Sequence, residues 1–195
     1  MSIESSLVTT LNQWGENHIS LVRVLANDFV YAVIILSTLW FCAKILKTYP
    51  IGENFKLFIT NLFVKGIVIF GIPIGIATVI SELISKAYVR DRPFAADSSV
   101  HLLVPHSADG GMPSHHIVFM SALVATVYFY GRRFALFLGV MTVLSGIARV
   151  AAGIHYPSDL IAGAAIGIAV AYVYHIGLKK AFSSNKLLEW PNRIG

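Results

Sequence analysis

The chain has 195 residues, of which 56% are hydrophobic and only 13% charged, and its mean hydropathy is +0.71. A soluble domain carries about a quarter charged residues, so this composition excludes an ordinary soluble helical protein and predicts a membrane protein. The formal charge of +5 is modest, and the single cysteine, Cys42, excludes an intrachain disulfide.

Residues 5–25 come first. Leu7, Leu11, Trp14, His18, Leu21 and Val22 recur at helical spacing, with Asn12, Glu16 and Asn17 between them. This is the pattern of an amphipathic helix lying at the membrane interface or packing on loops. Glu4 and Glu16 interrupt residues 1–25, and no basic start precedes an apolar block, so the segment does not read as a cleavable signal. Five apolar runs follow, near 28–47, 60–84, 116–131, 134–151 and 158–178, each near the length a membrane span needs. The expected fold is all-α: a polytopic membrane helical bundle of about five spans plus an N-terminal interfacial helix, forming one domain over 1–195. Gly71-Ile72-Pro73-Ile74-Gly75 predicts a kink in the second span, with a packing role.

Lysine and arginine set the expected orientation. Lys44, Lys47 and Lys56, then Arg132 and Arg133, then Lys179, Lys180, Lys186 and Arg193 all fall on one side, which should be cytoplasmic. Lys65 is expected to snorkel toward that side. The N-terminus and the 86–115 loop then lie outside. Lys86, Arg90 and Arg92 in that outer region break the rule, and Asp91, Asp97 and Asp109 offset them only in part.

Three motifs gather at this outer face. The first runs from Lys86 through Arg90-Asp91-Arg92-Pro93-Phe94. The second, Pro113-Ser114-His115-His116, opens the third span; proline suits a first helical position, and the N–H groups that follow form a ready anion site. The third is Ala148-Arg149, five residues, then His155-Tyr156-Pro157-Ser158-Asp159. The i,i+4 spacing lets Asp159 reach the His155 ring and fix its tautomer. Taken singly, each has a plain structural reading: a head-group cluster, a capped helix start, a local His–Asp pair. Together they supply positive donors, a nucleophile and an acid, the set a phosphoryl group requires.

On these residues the sequence resembles the type-2 phosphatidic acid phosphatase superfamily. Within it, Asp91-Arg92-Pro93-Phe94, the His106–Asp109 stretch before Met112-Pro113-Ser114, and Gly153–Asp159 look most like the bacitracin-resistance type of undecaprenyl pyrophosphate phosphatase. The resemblance implies His155 as nucleophile, Asp159 as its orienting carboxylate and His116 as acid and then base. It implies phosphate contacts from Lys86, Arg92, Ser114, the backbone at His115 and Arg149, with Arg90 as support, and neither metal nor cofactor. The implied partners are a membrane lipid substrate and the bilayer, not nucleic acid. The implied location is a bacterial inner (plasma) membrane, with the site facing the periplasm or exterior and the C-terminus cytoplasmic. Lys86 departs from the family spacing to Arg92 by one residue, His115 stands where Gly is usual, and Ala148 where Ser is usual. Other lipid phosphates (phosphatidylglycerol phosphate, phosphatidic acid, lipid A phosphate) are the alternative substrates, and a non-catalytic lipid-binding or transport protein the alternative class. His101 and His106 lie in the outer loop, where they could touch a head group; His18 and His175 read as structural.

Overall fold

The computed structural model describes residues 3–48 and 55–181, so Lys186 and Arg193 lie outside the described residues. Among the described residues there is no strand. The helices are α1 (Ile3–Glu16), α2 (Ile19–Thr48), α3 (55–87), the single turn α4 (Pro93–Ala96), α5 (His115–Tyr128), α6 (Arg132–Ala151) and α7 (Pro157–Ala181). The fold is a helical membrane bundle. Four helices are long and apolar enough to cross a bilayer: α2, residues 58–87 of α3, α6 and α7.

The expected third span is instead the 14-residue α5, about 21 Å long at 1.5 Å per residue. It sits at the centre, packed on α3, α6 and α7, with eight of its residues buried. Its contact with α7 is the most extensive in the bundle. Helices in a membrane gain most from close van der Waals packing over small residues, and α7 supplies Gly163, Gly167 and Ala171 on one face. A Cβ at Gly167 would stand 2.5 Å from the Val118 carbonyl oxygen, so no larger residue fits that crossing.

The first long helix begins at Ile19 rather than near 28, because Val22 and Ala26 pack against Leu103, Ala148, Ala151 and Ile154 at one end of the bundle. Two of the long helices contain a π-helical turn, Val24–Asp28 in α2 and Gly66–Gly71 in α3. The second directly precedes Pro73, which lacks the N–H an α-helix would direct to residue 69; the widened turn is the local answer to that loss. Each π turn offers a carbonyl to another helix. Ala26 O accepts from Arg149 Nη1 at 3.0 Å, and Val68 O from the Tyr174 hydroxyl at 2.7 Å. Lys65, expected to snorkel outward, is instead buried just before the second π turn.

α1 ends at Glu16 and packs across the loops at that same end of the bundle. Its buried face is Val8, Asn12 and Gly15, whereas Leu7 and Trp14 of the anticipated apolar stripe are exposed. Asn12 explains the choice of face. Its Nδ2 donates to the carbonyls of His101 and Ala151, each at 2.8 Å, and its Oδ1 accepts the His101 N–H at 2.8 Å.

Candidate active site

All three motifs meet at the end of the bundle that α1 covers. α3 ends at Ala87, the chain crosses through Arg90 and Arg92, and Phe94 N–H donates to Gly153 O at 3.0 Å. Gly153 has φ +76°, and a Cβ there would meet the His101 carbonyl oxygen at 2.8 Å. Only glycine turns the chain at this point between α6 and His155. Pro157 opens α7 as expected, and Asp159 falls in its first turn. Pro113, however, is not the first residue of α5. Ser114 is the extended N-cap and His115 the first helical residue, because the Ser114 N–H is held by the Asp159 carbonyl at 3.2 Å. That bond ties the second motif to the third.

His155 stands at the centre and is 3% exposed. Its Nδ1 lies 3.5 Å from Asp159 Oδ2. Its Nε2 faces Arg149 Nη2 at 3.4 Å and Arg92 Nη1 at 3.5 Å. A nitrogen facing only guanidinium donors presents its lone pair, which puts the ring proton on Nδ1, toward the carboxylate. Burial, with the charges of Arg149 and Arg92, holds the His155 pKa well below its ordinary 6.5.

The two arginines are fixed before any ligand arrives. Arg92 donates from Nε to Asp109 O and from Nη2 to Asp109 Oδ1, each at 2.9 Å, and from Nη1 to Ile154 O at 3.0 Å. Arg149 is anchored on Ala26 O. Both are buried. Two buried guanidinium groups converging on one point repel each other, and an anion held between them removes that cost. Ser114 Oγ is buried and has no hydrogen-bond partner among the described residues, a further donor in waiting. His116 opens α5 beside it, with Arg149, His155 and His106 as its electrostatic neighbours.

The sequence that builds these features is similar to that of known proteins. A family model described as the PAP2 superfamily matches residues 66–183, more than half the chain. The chain belongs to the PAP2 superfamily. The undecaprenyl-diphosphatase BcrC of Bacillus subtilis is 35% identical over 101 residues, 51% of this chain and 52% of that protein. An undecaprenyl-diphosphatase of Sulfolobus acidocaldarius is 30% identical over 99 residues, 50% of this chain and 48% of that one. The bacitracin transport permease protein BcrC of Bacillus licheniformis is 26% identical over 108 residues, 55% and 53%. The chain thus spans about half the length of the curated relatives it matches. The crystal structure of Aquifex aeolicus LpxE shares the fold, with TM-score 0.54 and 22% identity over 80% of this chain and 93% of that one.

Against the PAP2 pattern, the structure gathers His155, Asp159, His116, Arg92, Arg149, Ser114 and the backbone of His115, and leaves one expected phosphate contact, Lys86, outside. Lys86 has a 73% exposed side chain and pairs with Glu82 at 3.1 Å, the i,i+4 bridge its helix position favours. The spacing one residue short turns it off the site. The His115 ring also points away, with Nδ1 2.8 Å from Ser81 Oγ on α3; only its backbone N–H stays at the helix start. Arg90 does not replace Lys86 at the arginine pair. It donates from Nη1 to Asp159 Oδ1 at 3.0 Å and to Ser158 Oγ at 2.6 Å, with its guanidinium 4.0 Å from the centre of the Tyr156 ring.

Three residues at the site carried little or no weight in the motifs. His106 sets its ring edge-on to His155, centroids 6.3 Å apart. Asp109 grips Arg92. Glu4 binds Arg90 at 2.9 Å and the Ser158 N–H at 2.8 Å. The first two sit just before the second motif, which is a signal of sorts. Glu4 is separated from its partners by 86 and 154 positions, and no local pattern marks it. Of the remaining histidines, His101 pairs with Glu16, His18 stacks on Trp14, and His175 stacks on Phe129 at the far end of α7.

Proposed function

We propose that this chain is an integral membrane phosphatase that hydrolyses undecaprenyl pyrophosphate to undecaprenyl phosphate and inorganic phosphate, recycling a cell-wall lipid carrier. The observation that carries the chemistry is the lone pair of His155 Nε2 facing two buried, pre-anchored guanidinium groups. Nε2 attacks the terminal phosphorus, an N–P bond forms, and the P–O bond to the lipid phosphate breaks. His116 gives a proton to that leaving oxygen. It then takes one from water, which attacks phosphorus, breaks the N–P bond and frees inorganic phosphate and His155.

Arg92, Arg149, Ser114 Oγ and the His115 N–H hold the non-bridging oxygens, and phosphoryl transfer asks mainly for such positioning and charge. Two arginines supply that charge without a metal. Asp159 stabilises the positive imidazole ring of the intermediate. A lipid tail is supported by an apolar groove of about 630 Å³ between α5, α6 and α7. Ile117 and Leu160, which line it, directly follow His116 and Asp159 in the chain. The relatives named undecaprenyl-diphosphatase support the choice of lipid. Lys44, Lys47, Arg132, Arg133, Lys179 and Lys180 lie at the opposite end of the bundle, which supports a cytoplasmic C-terminus and a site facing the exterior or periplasm.

The test is phosphate release by purified protein in detergent with EDTA present. Undecaprenyl pyrophosphate should turn over fastest in a panel with phosphatidylglycerol phosphate, phosphatidic acid and a lipid A phosphate. Equal rates on all four would replace this reading with a broad lipid phosphatase, and no release from any would end the enzymatic reading.

A further inference from the structure

We propose that Glu4, on the N-terminal helix, is a positioning residue for the His155–Asp159 pair and acts on it through Arg90. The inference rests on reading His155 as the nucleophile. Four groups form a continuous line from α1 to the site. Glu4 Oε2 accepts from Arg90 Nη2 at 2.9 Å, Arg90 Nη1 donates to Asp159 Oδ1 at 3.0 Å, and Asp159 Oδ2 lies 3.5 Å from His155 Nδ1. The other Glu4 oxygen accepts the Ser158 N–H at 2.8 Å, in the first turn of α7. Arg90 is therefore a cation held between two carboxylates, and its guanidinium is clamped on its other sides by Ser158 Oγ and the Tyr156 ring.

The charge balance gives Glu4 its effect. Asp159 serves His155 by its negative charge, which stabilises the ring as it becomes positive. A lone guanidinium 3.0 Å away would neutralise much of that charge. Glu4 shares the guanidinium and returns the line to one net negative charge. Both groups stay ionised at neutral pH. Burial alone would raise the Glu4 carboxyl, but the hydrogen bonds from Ser158 and Arg90 and the charge of Arg90 outweigh it and hold it below its ordinary range. Burial likewise works against the Arg90 cation, and Glu4 and Asp159 more than offset it. Asp159 thus keeps one oxygen on the Tyr156 N–H at 2.7 Å and its charge directed at His155.

The experiment is a charge cycle on the full chain in detergent, with undecaprenyl pyrophosphate as substrate. Glu4→Gln keeps the shape of the side chain and an acceptor for the Ser158 N–H. It should lower kcat about tenfold, with KM within about twofold and the melting temperature unchanged. In an Arg90→Met background no cation remains to be shared, and the same Glu4→Gln change should cost nothing further. An unchanged kcat in Glu4→Gln overturns the proposal. So does an equal loss in both backgrounds, which would make Glu4 a simple brace on Ser158. If Arg90→Met does not fold, the Glu4→Gln kcat at unchanged melting temperature decides alone; if Glu4→Gln does not fold, Glu4→Asp, which withdraws the carboxylate by one methylene, is read the same way. Wild-type protein that releases no phosphate fails the parent reading, whereas active wild type with an indifferent Glu4→Gln fails this proposal only.

Discussion

Arg149 and Ala26 lie 123 positions apart, yet the guanidinium of one is anchored on the carbonyl of the other at 3.0 Å. In a regular α-helix that carbonyl would be turned along the axis toward its own ladder. The π turn Val24–Asp28 opens the ladder where the arginine arrives. The first long helix thus aims a site residue that belongs to the sixth.

On the proposed reading one Arg149 fork serves two targets, the Ala26 carbonyl and the phosphate oxygens beside His155. A lysine ammonium is a single point and cannot span both. Arg149→Lys should therefore lower kcat/KM by about a hundredfold while the protein still folds, measured by phosphate release alongside thermal melting. Near-wild-type turnover would remove the arginine from phosphate binding.

His155→Ala should reduce turnover by about a thousandfold or more and abolish the trapped intermediate. The wild type, quenched in alkali during turnover of labelled substrate, should carry phosphate on a histidine that acid releases. His116→Ala should still accumulate that label while turning over slowly. A label that survives in His155→Ala would move the nucleophile elsewhere.

The lowered His155 pKa sets a pH profile. The folded ring stays neutral where a free imidazole would already take up a proton, since burial and the two arginines disfavour its cation. In kcat/KM the limb belonging to His155 should lie below pH 6.5. Stability follows the same sign. The unfolded imidazole takes up a proton near 6.5 and the folded one does not, so stability falls as pH drops below about 6.5. Melting temperatures measured from pH 7.5 to pH 5 should decline, and His155→Gln should flatten part of that decline.

Lys86 and Arg92 should separate sharply. An exposed salt bridge contributes about 1 kcal/mol at most, so Lys86→Ala should change kcat/KM by less than about fivefold. Arg92→Ala removes a buried guanidinium beside Nε2 and should cost about a hundredfold or more. Equal losses in parallel phosphate-release assays would return Lys86 to the phosphate.

Asn12→Leu strands two carbonyls and one N–H that Asn12 now pairs. Leaving a buried polar group unpaired costs about 1–3 kcal/mol, so the melting temperature should fall by about 5 °C or more. A neutral effect in a thermal scan would show that α1 does not brace the loops.

The grouping of side chains at the candidate site was legible where its relations are local. His155 to Asp159 is four residues, Arg149 to His155 six, and Pro157 marks its helix start from sequence alone. Arg92 was legible from its proline neighbour, but its partner Asp109 was seen only as an offsetting charge and as part of the His106–Asp109 family stretch, with no contact assigned to it. Lys86 is a separate and local case: its spacing to Arg92 is one residue short of the family pattern, and it pairs with Glu82 at i,i+4. The other departures share a cause, which is long-range packing. Pro113 suits a helix start, but the Asp159 carbonyl holds Ser114 outside the helix. α5 has the composition of a span, and its length was decided by what surrounds it. The apolar stripe of α1, with Leu7 and Trp14 exposed, fits a helix at the interface, but its seating on the loops is set by Asn12, a polar residue whose backbone partners lie 89 and 139 positions away.

The position of α1 also fixes an order of assembly. Asn12 and Glu4 are made well before Ala151 and Ser158, which they bind and which follow 139 and 154 positions later. α1 must wait, its polar contacts unmet, until α7 has begun to insert. Only then does it close over the loops and bring Arg90 to Asp159. Activity should therefore appear late and all at once in a growing chain, because a segment made before α2 is seated only after α7 has begun.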